Sequence, residues 1–394
     1  MKLNADSMAE RFTGLFNDPA EPLVVRSPGR VNLIGEHTDY NEGFVLPAAI
    51  DKSAWVAVTR RTDNRILLFA EDYHARYDTV LTTLTPTDIH WPNYILGVAD
   101  QLQKSGITIG GFTLLLAGDI PIGAGLSSSA AVECATLFAL NELFELHLSK
   151  AEMAHIAQKA EHDFAGVKCG VMDMFTSLFG KKDQVINLDC RSLFYEYLPL
   201  DLKGYKLLLL DTNLNHRLSS SAYNTRRQQC EQGVSWVKEN LPAVAALRDI
   251  TGDMLDKFVK DRDPLIYQRC RYVVEENQRL LQACRDLKNG DIRSLGKRMF
   301  ETHEGLSKLY EVSCPELDFL VEAVKGNENV VGARMMGGGF GGCTINIVKE
   351  EAIEKLVDSL RPSYEISTGL PLTEYVVSVE NGTELMKKRE PVHA

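Results

Sequence analysis

The sequence predicts an α+β protein of two domains, and three observations carry that reading. Apolar runs the length of buried strands are interspersed with segments of helical periodicity, without the strict order of a doubly wound sheet. At 394 residues the chain is too long for one ordinary core. Beyond Pro199 and Gly204 it becomes mostly helical, so the boundary is set there, with a first domain over 1–203 and a second over 204–394.

Taken in order, residues 6–17 have the pattern of a short amphipathic helix, and Val24 to Ser27 is an extended run ending at Pro28. Residues 29–40 read as strand, turn and polar loop. Ala48 to Arg60 and Ile66 to Ala70 are strand-like, joined by the turn composition Thr62-Asp-Asn-Arg65. Trp91 to Ser105 is helical. Phe112 to Ala117 is a buried strand, and a helix is expected over 127–146. Ser149 caps another over 150–164. A short helix is expected over 173–179, then strands at 185–188 and 205–210. Helices follow near 217–240, 264–288, 291–309 and 314–325. A strand over 344–348, a helix near 350–360 and a last strand near 375–379 close the order, and the tail from Lys387 reads as polar and mobile.

Composition narrows the class. Hydrophobic content of 44% and charged content of 25% suit a soluble globular chain. A net charge of -11 disfavours nucleic acid and anionic membrane as partners. No apolar run approaches the roughly 18 residues of a membrane helix, and Met1 to Met8 lacks the apolar core of a signal peptide. The eight cysteines form no Cys-x-x-Cys pair and read as reduced thiols, so a cytoplasmic protein is expected.

The stretch Gly123-Ala-Gly-Leu-Ser-Ser-Ser129 joins the strand at 112–117 to the helix that follows. Glycines let a ligand approach the backbone, and the first amides of a helix are unpaired and partly positive. With three hydroxyls added, this is an anion site of the kind phosphate occupies. The competing reading is a serine N-cap after a flexible turn. No Gly-Lys-Ser/Thr follows, so it is not a Walker A loop.

Four further groups stand out. Arg30, Glu36, His37 and Asp39 lie on one glycine-flanked loop and suit a polyhydroxylated ligand, since carboxylates accept from vicinal hydroxyls and arginine forks onto phosphate. Their spacing fits no familiar metal-ligand pattern. Glu161 and Asp173 suit one carboxylate on magnesium and one beside a reacting hydroxyl; the plainer alternative is charge near a helix start. Gly337-Gly-Gly-Phe-Gly-Gly342 holds five glycines in six residues, which favours close backbone approach over a simple turn. In Tyr223-Asn-Thr-Arg-Arg227, Arg226 and Arg227 read as a solvated helix face.

These glycine-rich stretches, in this order, resemble those of the sugar and small-metabolite kinases called GHMP kinases, and within them the galactokinase family. Residues 29–40 match that family's signature, 123–130 its ATP-phosphate motif and 337–342 its third motif; Cys169-Gly-Val-Met-Asp173 and 223–227 match as well. The resemblance implies a two-domain α+β fold with the site in the inter-domain cleft. It also implies ATP-dependent, Mg2+-requiring phosphorylation of the anomeric hydroxyl of galactose. By the same resemblance Gly123, Ala124, Gly125, Leu126, Ser127, Ser128 and Ser129 hold ATP, and Ser129 and Glu161 hold the metal. Glu36, His37, Thr38, Asp39, Asp173 and Tyr223 bind the sugar. Asp173 serves as base or positioner, a choice the residues leave open, and Arg30 stabilises developing charge. Met174 stands where relatives carry Gln, and Ala222 where they carry Glu, so N-acetylgalactosamine or another sugar stays open as substrate. A sensor without turnover is the rival of another class; such regulators lose catalytic-loop residues that are present here. A monomer is the default expectation.

Overall fold

The computed structural model describes residues 3–18, 20–214 and 219–387. The expected helix start at 217 and the tail beyond Lys387 lie outside the described residues.

The first half contains α1 (Ala5–Phe16), β1 (Leu23–Asn32), β2 (Phe44–Val45), β3 (Pro47–Arg60), β4 (Arg65–Ala70) and β5 (Ala75–Val80). It continues with α2 (His90–Lys104), β6 (Phe112–Gly118), α3 (Ser128–Phe144), α4 (Lys150–Ala160), α5 (Met172–Phe179), β7 (Gln184–Asp189) and β8 (Tyr195–Pro199). The second half contains β9 (Tyr205–Asp211), α6 (Ser219–Lys238), α7 (Gly252–Phe258), α8 (Pro264–Lys288), α9 (Ile292–Gly305) and α10 (Pro315–Val324). It ends with β10 (Val330–Met335), β11 (Cys343–Lys349), α11 (Ile353–Thr368), β12 (Thr373–Val377) and β13 (Glu384–Lys387). Two π-helical turns, Glu161–Ala165 and Leu306–Tyr310, extend α4 and α9.

The strands form a six-stranded sheet in the order β13-β1-β3-β6-β4-β5, a four-stranded sheet β10-β11-β9-β12 and a three-stranded sheet β2-β7-β8. The pairs are antiparallel except β4 with β6, which run parallel. The chain's last strand thus returns to the sheet of the first half, where Leu385 faces Val25.

Local chemistry accounts for the main elements. Ser149 and Glu152 form a reciprocal capping box at α4, and Asp263 caps α8 with Pro264 in its first turn. β1 runs past Pro28, where the sequence reading ended it, because the register with β3 shifts between Pro28 and Arg30. A register shift of this kind accommodates a residue that cannot donate to the ladder. β5 was not anticipated: its side chains alternate between exposed and half-buried and leave no apolar run. β10, the short β2, β8 and β13, and α7 were also missed. α11 continues through Pro362, where a helix was expected to stop.

One core fills the first half, with α2, α3 and α4 packed beside the large sheet. A second core joins the halves: Val31, Leu33, Ala124 and Leu126 pack with Leu207, Leu209, Leu280, Ile345 and Met336. This junction lies beside all three glycine-rich stretches, and each fully buried leucine in it contributes about 1.5–3 kcal/mol.

Candidate active site

β1 delivers Arg30 from just past its register shift, and α5 delivers Asp173 from its first turn. The two side chains meet as a fork: Nε donates to Oδ1 at 2.8 Å and Nη2 to Oδ2 at 3.0 Å. Nη1 donates to the Gly125 carbonyl at 2.7 Å, and the Arg30 amide donates to the Leu126 carbonyl at 3.1 Å. Backbone and side chain of one residue therefore both hold the glycine-serine loop. Burial works against the charge on Arg30, but Asp173, Glu36 and Asp39 outweigh it and hold its pKa above the ordinary value.

Ser127 is not a side-chain cap. It adopts the left-handed region (φ 57) with no capping hydrogen bond. Its hydroxyl donates instead to Asp173 Oδ2 at 2.5 Å. The N-cap reading of this serine is set aside on that geometry.

A cavity of about 380 Å³ opens here. Its walls include Arg30, Glu36, His37, Asp39, Gly123, Gly125, Leu126, Ser127, Ser128, Ser129, Glu161, Asp173, Met174, Tyr223 and the 336–339 backbone. Two expected residues do not line it. Thr38 is fully buried, with its hydroxyl between the carbonyls of Gly35 (2.9 Å) and Phe44 (2.5 Å), so it braces the loop from behind. Ala124 is also fully buried, in the core that joins the halves.

Glu36 is anchored from the second half. Its Oε1 accepts from Arg334 Nη2 at 3.0 Å and from the Gly337 amide at 2.9 Å. Burial alone would raise its pKa, but Arg334 and Arg30 bring it below the ordinary value. Arg334, fully buried, also donates to the carbonyls of Asn32, Leu33 and Met335. Burial, then the charge of Asp173, pushes Asp39 up to about 7. Gly170 packs against that carboxylate so closely that a Cβ there would sit 2.1 Å from Oδ2. Burial lowers His37 to about 4. In the third glycine stretch Gly339 has φ +85, and a Cβ would lie 2.1 Å from the Val312 carbonyl.

Glu161 begins the first π-helical turn, and burial pushes it up to about 7. Were both groups ionised, its Oε2 and both oxygens of the fully buried Glu133 would have no donor. Burial, then the charge of Glu161, holds Glu133 well above the ordinary carboxyl range, so Glu133 stays protonated and hydrogen-bonds Glu161, which also takes a bond from Ser129. Glu133 follows Ser129 by one turn on α3, so the helix turns one polar row toward this point. Arg30 is the one arginine or lysine among the described residues lining the cavity, against Glu36, Asp39, Glu161 and Asp173. An excess of carboxyl groups, with Ser129 and Glu161 side by side on the cavity wall, fits a divalent cation taking oxygen ligands.

Sequence reasoning missed Arg334 and Glu133, and it misread Arg226. Arg226 is half-buried and donates to the carbonyls of Tyr310 at 2.7 Å and Glu311 at 2.8 Å, so it belongs to the site's support rather than to a solvated face. No local signal separated it from Arg227, which reaches Glu231 and the Lys168 carbonyl.

A charged fork beneath a helix tip, walled by three glycine-rich stretches, defines a small-molecule kinase site. The GHMP kinases N terminal domain matches residues 93–181 and the GHMP kinases C terminal domain residues 281–366. The galactokinase galactose-binding signature matches residues 10–60. A galactokinase of Thermotoga neapolitana is 42% identical over 362 residues, covering 92% of this chain and 99% of that protein. One of Roseiflexus sp. is 40% identical over 380 residues, covering 96% and 97%. The crystal structure of Lactococcus lactis galactokinase complexed with galactose superposes with a TM-score of 0.92 at 33% identity, covering 96% of this chain and 99% of that one. Methanococcus jannaschii mevalonate kinase shares the fold, with a TM-score of 0.63 at 20% identity. The chain belongs to the galactokinase family of the GHMP kinases.

Proposed function

We propose that the protein transfers the γ-phosphoryl group of ATP to the anomeric hydroxyl of galactose, giving galactose 1-phosphate and ADP. The observation that carries this reading is the fork between Arg30 and Asp173, tied to the helix tip through the Gly125 carbonyl and the Ser127 hydroxyl. Phosphoryl transfer asks little covalent chemistry of a protein; position and charge neutralisation dominate. The amides and hydroxyls of 123–129 seat the phosphates at the start of α3. Glu36, Asp39 and Tyr223 hold the sugar hydroxyls, and His37, whose two ring nitrogens are taken by Tyr40 and the Gly338 carbonyl, fixes their loop rather than the sugar. Asp173 accepts the hydrogen bond of the anomeric hydroxyl and takes its proton as that oxygen bonds to the γ-phosphorus. The bond to the β-phosphate oxygen breaks, and ADP leaves. Arg30 fixes the rotamer of Asp173 and offsets charge growing beside it.

Ser129 and Glu161 are the residues that would hold magnesium, and their adjacency on the cavity wall, amid an excess of carboxyl groups, supports that assignment. Bound there, magnesium neutralises phosphate charge that a cleft rich in carboxyl groups cannot. The domain division near residue 203 belongs to the same proposal: the first half supplies both substrate loops, the second the third glycine stretch.

The test is ADP release against a panel of galactose, glucose and N-acetylgalactosamine. Galactose is expected to be turned over fastest. No ADP above background with galactose would reject the activity, and faster turnover of N-acetylgalactosamine would move the substrate to that sugar.

A further inference from the structure

The first π-helical turn carries Glu161, a residue of the candidate site. The second, Leu306–Tyr310, ends on a tyrosine that no motif singles out. Single π turns inserted in helices recur at functional sites because they redirect a side chain. Tyr310 is fully buried. Its hydroxyl lies 2.7 Å from that of Tyr40, which lies 2.7 Å from Nδ1 of His37. The His37 ring's other nitrogen lies 3.2 Å from the Gly338 carbonyl. On the far side, Cys230 Sγ is 3.2 Å from the Tyr310 hydroxyl.

The carbonyl fixes the direction of this string. Gly338 O can only accept, so Nε2 of His37 carries the proton. A neutral ring then accepts at Nδ1, so Tyr40 donates to His37. Tyr40 has one proton, so it accepts from Tyr310, which accepts from the Cys230 thiol. Each group has one arrangement open to it. The backbone of Tyr310 is fixed as well, since its carbonyl accepts from Arg226 and that of Leu309 from the buried Arg269. Aromatic contacts close around His37, with Tyr310 at 4.9 Å and Tyr223 at 5.2 Å between ring centroids.

We infer that Tyr310 is a positioning residue for the sugar pocket: acting through Tyr40, it holds the His37 ring against Gly338 and so fixes the loop that carries Glu36 and Asp39. His37 has φ 62, a left-handed conformation that histidine enters more readily than most residues and that its ring contacts hold here. With both ring nitrogens engaged, His37 works here as a pin between the sugar loop and the third glycine stretch. The inference rests on the reading of residues 36–39 as the sugar pocket.

Tyr310→Phe removes one hydroxyl and keeps the ring. In steady-state kinetics on the full chain, galactose KM is expected to rise about tenfold, the scale of one buried acceptor left unpaired, with ATP KM within about twofold. Tyr40→Phe cuts the same string from the other side and should give the same split. The double variant should be no worse than Tyr40→Phe alone by more than about twofold, because groups acting in series are not additive. Galactose KM unchanged in Tyr310→Phe, or two effects that multiply, overturns the inference. If Tyr310→Phe fails to fold, Tyr40→Phe decides, and no split there overturns it too. Asp39→Asn is the control. If it raises galactose KM while Tyr310→Phe does not, the inference alone fails; if neither moves it, the sugar-pocket reading fails and the inference falls with it.

Discussion

Replacing Arg30 by lysine keeps the charge and removes the fork. The guanidinium makes three bonds, two to the Asp173 carboxylate and one to the Gly125 carbonyl. An ammonium on a flexible stem reaches one of those acceptors at a time with comparable geometry. Two charge-assisted bonds are therefore lost, at about 1.5–3 kcal/mol each, which sets a ceiling of about 3–6 kcal/mol. Part of that is felt equally by the resting enzyme and does not enter the rate. The part expressed in the transition state is taken as that of a single oxyanion-type donor, about 2.7–4 kcal/mol, or a hundred- to thousandfold in kcat. The assay is ADP release at saturating galactose and ATP, with thermal unfolding run alongside to show that the variant is folded. A folded Arg30→Lys enzyme within about fivefold of wild-type kcat would refute the reasoning, because charge alone would then suffice and the planar geometry would be incidental.

Other outcomes follow from the same geometry. Gly170→Ala puts a methyl where the Asp39 carboxylate lies; galactose KM should rise by about tenfold or more with ATP KM little changed, and equal shifts in both would count against the sugar pocket. Arg334→Met leaves Glu36 buried without its ion partner and should cost about 3–5 kcal/mol of stability, read as a lowered urea midpoint. The folded-state pKa of Asp39, raised to about 7, gives stability that is complete below the unfolded value near 4 and is lost as pH rises through about 7. The wild-type unfolding midpoint should therefore fall relative to Asp39→Asn between about pH 4 and 7 and run parallel to it outside that window. His37, lowered to about 4, has the opposite sign: its contribution is present above about 6.5 and lost toward 4, so His37→Gln should flatten the acid limb.

Much of the site could be read from residue order. The strand, glycine-serine turn and helix around 112–144 carry their own signals, and Arg30 and Asp173, far apart in sequence, meet as the motifs imply. What escaped was set by partners distant in the chain. Arg334 sits between Ala333 and Met335 in a strand and gives no hint that backbone carbonyls from 32 and 33 will enclose it. Glu133 looks like an ordinary polar position on an apolar helix until its buried carboxyl is found paired with that of Glu161. Arg226 resembled any surface arginine because its acceptors, the carbonyls of 310 and 311, become available only at the end of a π turn. β5 and β13 lack apolar runs because they are edge strands of the large sheet. Tyr310 carries no motif at all.

The pairing of β13 with β1 bears on how this polypeptide is made. A ribosome releases residues 23–32 long before residues 384–387 exist, so through most of synthesis the outer rim of β1 has no neighbour. Thr383 then seats its amide on the Ser177 carbonyl and its hydroxyl beside Ser27, closing the rim late. Loss of residues from 383 onward would spare every motif described above and still yield a chain with an open strand edge, ready to pair with other nascent copies.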